Sequence, residues 1–134
     1  MVILYVDTDA FNGSSSKNPF NFKHHFLNYL DVTVNGRSLP RERPIEPDFK
    51  NNHFSDAYAM MFGSNWMQDK GTYISREEFA NGYTLYVLDL GGDSVGNVKL
   101  EARFAKPLEN AVNVFVYASF PNTMEIDATR NVFL

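Results

Sequence analysis

The stretch that decides the fold class reads Leu30-Asp31-Val32-Thr33-Val34-Asn35-Gly36-Arg37-Ser38-Leu39. Apolar and polar residues alternate in its first half, so Leu30, Val32 and Val34 share one face of a half-buried strand. The dipeptide Asn35-Gly36 follows, and it favours a type I′ turn because both central residues of that turn need a positive φ. The stretch therefore predicts an antiparallel hairpin and, with it, a β-rich domain.

Further segments have the apolar alternation or the β-rich composition of strands, at residues 2–6, 83–90, 98–104, 112–120 and 124–127. We expect the predicted strands 83–90 and 98–104 to pair with each other in antiparallel fashion, because only a glycine-rich loop separates them. Prolines at positions 40, 44 and 47 predict an extended segment along an edge or over the surface, since proline cannot donate to a central ladder.

Helical signals are few and short. Ser55 precedes a run with helical apolar spacing that ends at Gly63, which predicts one short helix over residues 55–62. Ser75 and Glu78 have the spacing of a capping box, which predicts a single helical turn. We therefore expect an all-β fold, a β-sandwich of two antiparallel sheets with one short helix, and the strand pattern fits a jelly roll and an immunoglobulin-like sandwich equally well.

Composition limits the class of protein. The chain has 134 residues, which fits one domain spanning residues 1–134, and its 44% hydrophobic and 21% charged residues are typical of a folded protein. The net charge of −4 and the scattered Lys and Arg residues argue against nucleic-acid binding. No apolar run approaches the ~20 residues that span a bilayer, and no signal peptide is recognisable, so we expect a soluble chain.

Candidate catalytic and metal-binding residues are sparse. There is no cysteine, and His24, His25 and His53 follow no catalytic motif. Five aspartates could gather into a calcium site, but they lack the spacing of a calcium loop and we interpret them as residues of turns and strand ends: Asp7, Asp9, Asp89, Asp93 and Asp127. The sequence predicts that the protein is not an enzyme and has no cofactor and no metal.

Several blocks of the sequence occur together, in this order, in one known family. They include Val6-Asp7-Thr8-Asp9-Ala10-Phe11-Asn12-Gly13, Lys17-Asn18-Pro19-Phe20-Asn21-Phe22, Pro44-Ile45-Glu46-Pro47-Asp48-Phe49, Asn81-Gly82-Tyr83-Thr84-Leu85-Tyr86 and Val112-Asn113-Val114, followed by Glu125-Ile126-Asp127. Over nearly its whole length the chain resembles the C-terminal jelly-roll region of the capsid-type proteins encoded by Polinton/Maverick (adintovirus-like) elements, which are widespread as uncharacterised proteins in animal genomes.

The resemblance implies a structural role. In members of that family the blocks end a much longer chain, whose upstream part looks like the first jelly roll of a double jelly-roll capsid protein. By this resemblance the chain would be the second jelly roll, a viral or virus-derived subunit of the virion. Its partners would be other capsid subunits, with a homotrimer as the candidate oligomer. The loop at residues 91–97 is shorter here than in family members.

The hypothesis identifies candidate contact surfaces in the proline-containing segment 40–49, which we call the arm, and in the segment 63–74. The predicted interface residues are Pro40, Arg41, Arg43, Pro44, Ile45, Pro47, Phe49, Trp66 and Tyr73. The predicted core comprises Leu85, Val87, Leu100, Phe104, Val114 and Val116. The alternative function is that of a receptor- or carbohydrate-binding β-sandwich, because Trp66, Tyr73 and Tyr58 could stack on a sugar or contact a host receptor.

Overall fold

Two antiparallel three-stranded sheets form the body of the chain. The computed structural model describes residues 1–39, 43–63, 73–90 and 97–119 and the short strands 125–126 and 132–133. In the first sheet β1 (Val2–Asp7) lies between β4 (Tyr86–Val87) and β6 (Val112–Tyr117). In the second sheet β2 (Leu27–Val34) lies between β3 (Arg37–Leu39) and β5 (Val98–Phe104). The strands β7 (Glu125–Ile126) and β8 (Val132–Phe133) pair with each other.

The hairpin expected at Asn35-Gly36 is confirmed. β2 and β3 pair in antiparallel fashion, and the two turn residues have φ values of 51° and 81°, as a type I′ turn requires. Beyond β3 the chain returns to β2, where the backbones of Leu30 and Ile45 exchange hydrogen bonds of 2.9 and 2.8 Å. At Ile45 the described part of the arm therefore lies beside β2, at the edge position that its prolines predict.

In the described ranges three short helices lie between the strands: α1 (Thr8–Phe11), α2 (Ser55–Met60) and α3 (Arg76–Ala80). α3 begins with the predicted capping box, in which the Ser75 hydroxyl accepts from the Glu78 N–H and the Glu78 carboxylate accepts from the Ser75 N–H. α2 lies where the sequence predicts a helix, although Phe54 rather than Ser55 precedes its first turn. α1 was not predicted from the sequence.

The prediction that 83–90 and 98–104 pair with each other is wrong. β4 pairs with β1 and β5 pairs with β2, so the two segments lie in different sheets. A regular ladder covers only residues 86–87 of the first segment, and Leu88 donates its N–H to the carbonyl of Met1. Alternation identifies a strand and its buried face, but it does not identify the strand beside it.

The core lies between the two sheets and under α2 and α3. Tyr5 packs edge-on against Tyr86 and Phe104 with ring centroids 6.2 and 5.6 Å apart, which joins the two sheets. Phe79 of α3 and Phe54 are fully or almost fully buried and stack at 5.9 Å. Of the predicted core residues, Val87 is buried, and three are half-buried against the core: Leu85, Leu100 and Phe104.

The strand order is that of the last six strands of a jelly roll. An eight-stranded jelly roll is a long antiparallel hairpin that is rolled up. If its strands are numbered 1 to 8, strand 3 pairs with strands 6 and 8, and strand 4 pairs with strands 5 and 7. Strands β1–β6 of this chain correspond to strands 3–8 of that scheme. The pairs β1–β4, β2–β3, β6–β1 and β5–β2 reproduce that scheme. The first two positions of the scheme would lie beside β6 and β5, and no strand among the described residues occupies them.

Candidate assembly surface

Strand β6 carries apolar side chains that face inward but remain exposed. Val114 and Val116 lie opposite Tyr5 and Ile3 of β1, both of which are buried, so the two valines belong to the inward face of the sheet. Their exposed fractions are nevertheless 48% and 51%. The prediction that they are core residues is therefore wrong about their burial, because no described strand covers this part of the inward face.

Strand β5 continues the same surface on the second sheet. Val98, Leu100 and Ala102 lie opposite buried residues of β2 and so also face inward. Val98 is 41% exposed, and the other two are half-buried. We call this surface the open flank; it consists of Val98, Leu100, Ala102, Val112, Val114 and Val116.

The backbone of β6 also presents polar groups along its outer edge. Thr8 donates its N–H to the carbonyl of Ala111 at 3.0 Å, which fixes the alternation of the antiparallel ladder between β1 and β6. In that alternation residues 113, 115 and 117 bond to β1, whereas the N–H and C=O groups of Val112, Val114 and Val116 point away from it. Asn35 donates its N–H to the Asn97 carbonyl, which fixes the alternation between β2 and β5 in the same way. The backbone N–H and C=O groups of residues 98, 100 and 102 therefore point away from β2.

The outer face of β6 is apolar as well. Phe115 is partly exposed and packs edge-on against the exposed ring of Phe11 of α1, with centroids 5.1 Å apart. Tyr117 on the same face is more than half exposed. Strand β6 thus presents apolar side chains to solvent on both faces.

The other edge strands have the features that usually prevent edge-to-edge pairing. β3 is three residues long and starts with Arg37, and β4 is two residues long. β5 presents a row of charges in which Glu101 lies between Lys99, at 3.6 Å, and Arg103, whose Nε lies at 3.1 Å. β6 contains no charged residue and no proline over its six residues. Among the described edge strands, β6 therefore has the least protected edge.

A second cluster of side chains surrounds the buried carboxylate of Asp7. Lys23 donates to Asp7 at 2.8 Å, and Lys17 Nζ and His25 Nε2 lie 3.7 Å from its oxygens. Burial raises the pKa of Asp7, but the hydrogen bond and charge of Lys23, with the nearby His25 and Lys17, outweigh burial and lower it overall. The carboxylate of Asp7 is paired with positively charged side chains in this cluster, so we interpret the cluster as an ion-pair contact that holds β1 against the segment before β2.

A cleft of about 380 Å³ opens beside this cluster. Its walls include His24 and His25, the two adjacent histidines of the sequence. His24 uses Nδ1 to accept a hydrogen bond from the N–H of Phe26 at 2.8 Å and stacks on Phe49, so its ring is held by the protein itself. Within the described ranges, no three His, Asp or Glu side chains converge as metal ligands would. Asp93 and Asp127, two of the candidate calcium ligands, lie outside the described residues.

The predicted interface residues divide into three groups. Pro40, Arg41 and Trp66 lie outside the described residues. The second group lies against the chain's own core and presents little surface to a neighbour: Pro44 is half-buried, Ile45 and Pro47 are buried, and Phe49 stacks on His24 and Phe54 at 4.0 and 5.0 Å. The third group is exposed and comprises Arg43, which lies 3.3 Å from Asp56, and Tyr73.

The aromatic platform considered for sugar binding is not assembled by the described residues. Tyr73 is 95% exposed, but Tyr58 is half-buried and donates its hydroxyl to the carbonyl of Ile74 at 3.0 Å. The sequence reasoning missed the open flank, although one signal for it was present. That signal is the run from Val112 to Tyr117, which has six residues without a charge.

Comparisons with known proteins find a relative that is itself uncharacterized. No family model matches the chain, and no solved structure matches it. The uncharacterized protein F54H12.2 of Caenorhabditis elegans is 28% identical over 147 aligned residues, which cover 94% of this chain and 33% of the relative. The chain thus spans about a third of the length of that curated relative. In the described ranges, no helix is long and apolar enough to cross a membrane.

Proposed function

We propose that the chain is a capsid-type structural module, of viral or virus-derived origin, that assembles with other subunits through the open flank. The observation that carries the proposal is the exposure of inward-facing valines on β6 and β5. Exposure of an apolar face that belongs to the interior of a sandwich is unfavourable in water, so we expect another polypeptide segment to cover it. The virion would be the place of assembly, and contact rather than chemistry would be the function.

The energetics favour association at this surface. Complete burial of a valine side chain contributes about 1.5–3 kcal/mol, and Val114 and Val116 are about half exposed, so covering each would contribute roughly 1 kcal/mol. In a symmetric assembly the free-energy contribution of each residue is counted once for every copy of the chain. The outward backbone groups of β6 add hydrogen bonds to this apolar contribution, as in other cases of strand addition to a sheet edge.

The proposal can be tested with a variant that makes the flank polar. The double variant Val114→Ser, Val116→Ser should assemble only at a higher protein concentration than the unmodified chain. The measurement is the mass-average molar mass, obtained by light scattering over a concentration series. The matched control is Phe20→Ser, because Phe20 is 71% exposed but lies on a loop away from the flank. A double variant that assembles as well as the control would contradict the proposal. Of the three residues considered for a glycan-binding platform, Trp66, Tyr73 and Tyr58, Tyr73 is the one that the structure describes as exposed.

A further inference from the structure

We infer that the partner of β6 is β6 of a second copy, added in antiparallel fashion about a twofold axis that passes midway between Val114 and its counterpart. This inference rests on the proposed function and names the partner of the same surface. The two first sheets would join into one six-stranded sheet, with β6 and its counterpart at the centre. Three features of the strand lead to this partner: its charge, its outward backbone groups and its side-chain order.

The absence of charge makes the strand compatible with itself. In a twofold arrangement each side chain meets a residue of the same strand, so a charged strand brings its own charges together, alike or opposite according to the register. β5 carries the charged side chains of Lys99, Glu101 and Arg103 in a row on the outer face of its sheet. β6 carries none, and no pairing of Val112–Tyr117 with its own copy brings two charges together.

The backbone determines the register. Only Val112, Val114 and Val116 direct their N–H and C=O groups to the outer edge, so these residues must form the hydrogen-bonded pairs. When Val114 lies opposite its counterpart, Val112 lies opposite Val116 in both directions. All three outward residues of each copy are then paired, which gives about six hydrogen bonds between the copies. A shift of two residues leaves one outward residue of each strand without a partner.

The side chains agree with this register. Opposed residues of an antiparallel pair lie on the same face, so the three valines of each copy form one continuous apolar row on the inward side. On the other face Asn113 lies opposite Phe115. The exposed halves of Val114 and Val116 would be covered by equivalent residues. The symmetric pairing therefore covers the part of the open flank that β6 contributes, and the part on β5 is not included in it.

The experiment uses a proline whose position blocks the outer edge alone. The N–H of Val114 points away from β1, so Val114→Pro removes a donor of the proposed interface without removing a bond to β1. Val114→Thr is the matched control, because it keeps the N–H and a β-branched side chain. By sedimentation velocity we expect a dimer of the unmodified chain and of the threonine variant, and an at least tenfold higher dissociation constant for the proline variant.

A measurement without substitution covers the case in which the proline variant does not fold. Amide hydrogen exchange of the unmodified chain should slow with rising concentration at 112, 114 and 116, whereas 113, 115 and 117 should be protected at every concentration. Association without this alternation, or a trimer, would overturn the inference and leave the proposed function standing. A strict monomer at millimolar concentration would overturn both.

Discussion

Protonation of His24 is expected to weaken the fold in mild acid. The ring stacks on Phe49 with centroids 4.0 Å apart and planes 3° from parallel, and Nδ1 accepts a hydrogen bond from the N–H of Phe26. Burial, with a smaller effect of the neighbouring His25, lowers the pKa of His24 to about 4. The substitution His24→Asn should remove the titration, while the amide oxygen can still accept from Phe26.

The sign and size follow from proton linkage. The ordinary pKa of 6.5 applies to the unfolded chain and a value of about 4 to the folded chain, so between these pH values the unfolded state binds a proton that the folded state does not. The free energy of unfolding should therefore fall as the pH drops through this window. One pKa unit corresponds to about 1.4 kcal/mol, and after a discount for a half-buried ring we expect a loss of about 2 kcal/mol by pH 4.

The assay is urea denaturation at several pH values from 7.5 to ~4; the loss from protonation of Asp7, whose pKa is lowered, becomes large only below its ordinary value of 3.8. We expect His24→Asn to flatten the decline in stability over this range. His53→Asn is the control, because it replaces an exposed histidine. Equal pH slopes for the His24→Asn variant and the unmodified chain would refute the reasoning, and with it the docking of Phe49 against this ring.

Two further predictions concern local structure. Ser75→Ala should lower the free energy of unfolding by about 1 kcal/mol, because it removes the cap of the Glu78 N–H, whereas Ser55→Ala, which caps nothing, should change it by less than about 0.5 kcal/mol; chemical denaturation measures both. Gly82→Ala should cost about 1–3 kcal/mol, since Gly82 has a φ of +127° and a Cβ there would lie 2.6 Å from Asn21 Oδ1. Adding Asn21→Ala should recover only the steric part, and complete recovery would contradict the assignment of backbone strain.

Local signals in the sequence predicted local structure correctly. The Asn35-Gly36 turn and the Ser75–Glu78 capping box each involve residues within four positions, and both are present as expected. The partner of β4 was wrong because alternation contains no information about which strand lies alongside. The pairing of β4 with β1 depends instead on how the whole chain crosses between the two sheets.

Burial was harder to predict than orientation. Alternation correctly placed Val114 and Val116 on the inward face of β6, but their exposure depends on whether the opposite sheet reaches them. The arm shows the converse: its prolines predicted a segment along an edge or over the surface, and Ile45 does pair with β2, but Ile45 and Pro47 are buried against the chain itself. In both cases the deciding contacts are between residues far apart in sequence.

The most direct test of the central claim is sedimentation equilibrium of the unmodified chain over a wide concentration range. The claim is that the open flank makes this chain an assembly module. It predicts a reversible, concentration-dependent rise in mass above that of the monomer, stronger at higher salt because each copy has a net charge of −4 that opposes association. A single species of monomer mass at every concentration and salt would contradict the claim.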